Sequence, residues 1–196
     1  MTDTTSSSGV AGTVAALDRD VDGTPVKGMW AWTALRLLLG WSFLWAFFDK
    51  MFGLGFATCR AEESASIDYL CNAAMLKGGS PTYGFLTFAT PASHTGGLFD
   101  WMASSGPDSI GWADVMFMGA LLCLGVALMA GVFTRTAGIG GAVLMLFMFL
   151  ASEVFPENNP VNSSHIIEMV VLLGIAYVGP GPFSLHAASK KPSAAT

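Results

Sequence analysis

An all-α integral membrane protein, built as one bundle of four transmembrane helices with both termini in the cytoplasm, is the fold class that this sequence predicts. Three observations lead there. The chain is 53% hydrophobic and only 12% charged, with a mean hydropathy of +0.56, which lies outside the balance of a soluble domain. Four windows approach the roughly 20 apolar residues that cross a hydrocarbon layer about 30 Å thick. Lys and Arg in the short flanks of those windows fall consistently on one side. At 196 residues there is room for one domain, so the apolar residues go into spanning helices rather than into a large soluble core.

The elements follow in order. Residues 1–28 are rich in Ser, Thr, Gly and Asp, lack a basic start and a signal-like apolar run, and read as a disordered cytoplasmic tail. The spans are expected at about 29–52, 113–133, 136–155 and 163–178, the last being the shortest. Each must be helical, because in lipid the backbone polar groups find partners only within the segment. The membrane domain therefore covers 29–181, and 182–196 forms a second cytoplasmic tail. Arg19 and Lys27 precede the first span, Arg135 sits in the tight turn between the second and third, and Lys190 and Lys191 follow the fourth, which places all of them inside. The outer segment 53–112 sets Arg60 and Lys77 against Glu62, Glu63, Asp68, Asp100 and Asp108, and the loop after Phe155 carries Glu157 and no base. Within the outer segment, Pro81 to Phe88 and Leu98 to Met102 are aromatic and half apolar, which suggests short elements lying at the interface or capping the bundle rather than a plain surface loop. A multi-pass protein of a prokaryotic plasma membrane is the expected setting.

Several function classes fall away. A net charge of −5 with no basic cluster argues against nucleic acid. No metal site is expected. His165-x-x-Glu168 with Glu153 and Asp49 offers only one reversed copy of the Glu-x-x-His pattern that di-iron bundles use twice. Haem would need axial ligands at membrane depth, whereas His94 and His186 lie in the outer loop and the tail. No flavin or iron–sulfur motif is visible. Gly138-Ile139-Gly140-Gly141 follows no strand, so it serves close helix approach rather than dinucleotide binding.

An ionisable group at membrane depth is expensive and points to function unless it lies near a helix end. Asp49 and Lys50 near the outer end of the first span, Glu153 near that of the third, and His165 and Glu168 at the start of the fourth all gather in the outer half. His165 and Glu168 share one helix face. A carboxyl and an imidazole beside an apolar pocket suit quinone reduction, which takes up two electrons and two protons. The competing reading is that these groups simply pair at the lipid boundary. Arg36 lies about 10 Å inside the first span at 1.5 Å per residue. It can snorkel inward, pair with a carboxyl or bind an anion, and snorkelling is favoured. Cys59 and Cys71 both fall outside, in an oxidising compartment, and can form a disulfide. Their spacing favours a staple over a redox-active pair. Cys123 reads as packing.

Leu35-Arg36-Leu37-Leu38-Leu39-Gly40-Trp41, Phe48-Asp49-Lys50-Met51-Phe52-Gly53, Gly78-Gly79-Ser80-Pro81-Thr82, Asn158-Asn159-Pro160 and His165-Ile166-Ile167-Glu168 carry a family likeness. From about Trp30 to Gly181 the chain resembles the DoxX/DoxD-like membrane proteins, in the branch labelled as the large subunit of thiosulfate:quinone oxidoreductase. The resemblance implies a four-helix subunit that passes electrons from thiosulfate to membrane quinone, or that gathers sulfur and oxidative-stress enzymes at the membrane. It also implies a second, DoxA-like subunit or another redox partner. In that reading Glu168 and His165 carry the chemistry, and Asp49, Glu153 and Arg36 hold the quinone. Two alternatives stay open: a non-catalytic accessory or assembly subunit of a respiratory complex, and a thiol oxidant moving electrons from Cys59/Cys71 to quinone.

Overall fold

Gly28 and Gly53 bracket a proline-free apolar run, and both adopt the left-handed conformation, at φ 77° and 65°, that L side chains avoid. Between them lies the first helix, α1 (Met29–Phe52), closed by a hydrogen bond from the Gly53 N–H to the Asp49 carbonyl. The computed structural model describes residues 18–19, 25–60, 68–89, 95–103, 105–152, 164–185 and 187. Three further helices follow: α2 (Trp112–Ala130), α3 (Thr134–Ser152) and α4 (Ser164–Val178). Among the described residues there is no strand, only one isolated bridge between Arg19 and Pro25.

The observed helices and the expected windows differ at their ends for a local reason. Gly131, at φ 66°, stops α2 three residues before the expected end, and Phe133, also at positive φ, completes the turn into α3. Glu153, Glu157, His94, Asn158-Asn159-Pro160 and most of both tails lie outside the described residues. Helices α1, α2 and the Thr134–Ala151 stretch of α3 are long and apolar enough to cross a membrane. Helix α4, with 15 residues, is apolar but shorter.

The helices pack in a cycle, α1 against α2, α2 against α3, α3 against α4 and α4 back against α1. Small residues set the closest approaches. A Cβ on Gly40 would lie 2.9 Å from the Met129 backbone nitrogen, and one on Gly138 would lie 2.7 Å from the Leu172 carbonyl oxygen. Phe43, Leu121, Leu128, Met145, Leu172 and Ile175 fill the space between the helices. Large apolar side chains also point outward on every helix, among them Trp41, Val126, Ile139 and Val170. A water-facing surface would rarely tolerate this distribution, and a lipid-facing one requires it.

The aromatic stretches of the 53–112 segment form short elements. A π-helical turn at Phe85–Ala89 and a 3-10 helix at Gly96–Met102 pack against each other and against α3. Trp101 stacks on Trp112 at the start of α2 with ring centroids 5.2 Å apart, and Phe99 meets Phe147 of α3 edge to face at 6.4 Å. A disulfide joins Cys59 to Cys71 and closes the loop that leaves α1.

Candidate functional site

Two buried carboxylates organise this end of the molecule. Asp49, 1% exposed in the last turn of α1, accepts hydrogen bonds from the backbone N–H groups of Phe56, Ala57 and Thr58 at 2.8, 3.0 and 3.0 Å. Its charge is thus met by amide dipoles, which fold the chain back over the helix end. The disulfide reinforces the same loop, and Gly53 has no room for a side chain, because a Cβ there would fall 2.3 Å from the Cys59 sulfur.

The second carboxylate is Asp114, fully buried in the first turn of α2. It accepts from the Gly111 N–H at 2.8 Å, the Thr82 N–H at 2.9 Å, the Thr82 hydroxyl at 2.7 Å and the Ser80 hydroxyl at 2.8 Å. A carboxylate at this position is favoured by the helix dipole and by the unpaired N–H groups of the first turn. The result is a clasp between α2 and the Ser80-Pro81-Thr82 corner. Sequence reasoning passed over Asp114. The available signal was an acidic residue three positions after Gly111 at the head of an apolar run.

Beside the Asp114 clasp lies a cavity of about 610 Å³. Its walls come from the corner and π-helical turn (Pro81, Thr82, Phe85, Leu86), the 3-10 helix (Leu98, Phe99, Trp101, Met102), α2 (Trp112 to Ala120) and α3 (Leu144 to Ala151). Lys50 reaches it from α1 and, among the described residues, carries the only formal charge of the lining. Met116 of α2, Phe147 of α3 and Trp101 of the 3-10 helix are exposed as well as lining, so the cavity reaches the surface among these three elements. Apolar walls with few polar groups, at this size, are the usual make-up of a small-molecule site.

Of the sequence-selected residues, Arg36 stands apart from the others. Arg36 is fully buried and turned away from solvent, with Nη1 donating to the Leu128 and Met129 carbonyls and Nη2 to that of Phe183. Instead of snorkelling, it caps the carbonyl end of α2, where a cation meets the negative pole of the helix, and ties down the chain after α4. It stands about 20 Å along α1 from Asp49 at 1.5 Å per residue, too far to share one ligand head. His165 and Glu168 are half-buried in the first turns of α4, and both are engaged by neighbouring groups. Asp49, Arg36, His165 and Glu168 do not line the cavity, whereas Lys50 does. Glu153 lies outside the described residues. Among the described residues no group of three or more His, Cys, Asp or Glu is placed to hold a metal ion.

Comparison with family models, curated proteins and solved structures gives no match to this chain.

Proposed function

We infer that the protein crosses the membrane with all four helices, termini inside, and binds the ring of a membrane quinone in the outer cavity, as the membrane subunit of a DoxX/DoxD-like thiosulfate:quinone system. The observation that carries this reading is the 610 Å³ cavity itself: aromatic walls for stacking a planar ring, one cationic side chain among the described lining residues, and exposed apolar lining residues on α2 and α3. With those apolar residues facing lipid, a ligand dissolved in the bilayer enters without crossing water. Quinone reduction consumes two electrons and two protons, and the electrons come from a redox partner such as a DoxA-like subunit. This chain's residues bind and orient the ring. The disulfide takes no part in the cavity wall, which supports a staple over a thiol oxidant.

The binding test uses the tryptophans in the wall. Titration of the full chain with 2-methyl-1,4-naphthoquinone is expected to quench the emission of Trp101 and Trp112 saturably. Filling the cavity by Ala120→Phe should weaken that binding by about tenfold or more, the cost of overpacking a fitted site. Linear, unsaturable quenching that is unchanged in the variant would leave the accessory-subunit reading, with lipid chains occupying the cavity.

Orientation has its own test. Reporter fusions after Lys191 and at Thr134-Arg135, the start of α3 rather than the turn expected from the sequence, are both expected on the cytoplasmic side, following the basic flanks. A periplasmic signal from either fusion reverses the topology and puts the cavity at the inner face.

A further inference from the structure

Lys50 is the residue whose position the clasps leave unexplained. Its neighbour Asp49 directs both carboxylate oxygens to the backbone of residues 56–58 and, among the described residues, accepts no hydrogen bond from the ammonium, although its charge lies close. Lys50 itself is half-buried, reaches the cavity wall, and donates no hydrogen bond among the described residues. The other polar side chain of that kind, Thr82, has its hydroxyl proton committed to Asp114. The two indole N–H groups of the wall are neutral donors on stacked rings. A lone ammonium among aromatic rings is costly to keep without an acceptor, and a ligand oxygen entering the cavity supplies one.

Resting on the quinone reading above, we propose that Lys50 is the specificity-determining contact of this cavity: its ammonium donates to a ring carbonyl oxygen and selects oxygen-bearing rings over plain aromatic ones. The bond is charge-assisted and forms in a water-poor, low-dielectric setting, both of which strengthen it. The aromatic walls accept any flat ring, so discrimination falls to the lysine. Asp49 acts on the contact indirectly, by keeping the end of α1 folded and holding a negative charge close to the ammonium.

The experiment compares 2-methyl-1,4-naphthoquinone with 2-methylnaphthalene, the same ring without oxygens, by equilibrium dialysis against the full chain in nanodiscs. In Lys50→Met, affinity for the naphthoquinone is expected to fall about tenfold while affinity for the hydrocarbon is unchanged, and Lys50→Arg should keep most of the preference. Lys50→Gln provides a polar, uncharged check and should lose most of it. An equal fall for both ligands means that the substitution deforms the cavity, and no fall for either means that Lys50 does not touch the ring; each overturns the proposal. Wild-type protein that binds the hydrocarbon and not the naphthoquinone overturns the quinone reading itself.

Discussion

Replacing Asp114 by alanine is expected to destabilise the protein by on the order of 4 kcal/mol and to abolish ligand binding in the cavity. The substitution strands the buried backbone N–H of Thr82, the part-buried N–H of Gly111, and two hydroxyl groups, those of Ser80 and Thr82. Each stranded buried donor costs about 1–3 kcal/mol, and some of that is recovered where the corner opens to water. The opening is what removes the site, because Pro81, Thr82, Phe85 and Leu86 leave α2 together. Asp114→Asn keeps one accepting oxygen and turns an NH2 toward one of the N–H donors, so it should lose about half as much. Thermal unfolding in detergent, followed by tryptophan emission, gives the order wild type, Asn, Ala. Equal stability of Asp114→Ala and wild type would mean that the clasp does not hold the corner.

The second large effect is expected at Asp49. Asp49→Ala removes the acceptor for the N–H groups of Phe56, Ala57 and Thr58 and leaves the Lys50 ammonium without its neighbouring negative charge, a loss of about 3 kcal/mol. The Cys59–Cys71 bond closes the same loop, so the two restraints are coupled rather than independent. The measurement is the thermal midpoint of wild type and variant with and without reductant. Reduction should cost the variant more than it costs wild type, because the loop then loses its remaining tether. Identical shifts for the two proteins would show that Asp49 and the disulfide act on separate structures.

Both results bear on how buried charges are read in a chain like this one. In the sequence Asp49 and Arg36 read as intramembrane charges and hence as ligand-binding candidates, because such groups are costly in lipid. In the structure that cost is met by backbone dipoles: three amides for Asp49, and the carbonyl end of α2 for Arg36. Irregular backbone at the end of a span needs partners as urgently as a ligand does, and a buried charge satisfies several peptide groups at once. Lys50, read from the sequence as one more boundary charge, is instead the charged group that faces a cavity.

What the sequence determined by itself is the solvent and the elements. Apolar runs of spanning length, cut by Gly53 and Gly131, specify helices to within a few residues, because hydropathy and the left-handed preference of glycine act over one or two turns. The paired cysteines and the aromatic character of the outer segment were legible for the same local reason. The tertiary structure alone decided which polar groups are architecture and where a ligand fits. Thr82 and Asp114 are 32 residues apart, Arg36 and Leu128 are 92 apart, and Arg36 and Phe183 are 147 apart. Contacts at those separations leave no periodic trace in the chain. They exist only once the helices have packed in their cycle and brought the outer segment down onto α2 and α3.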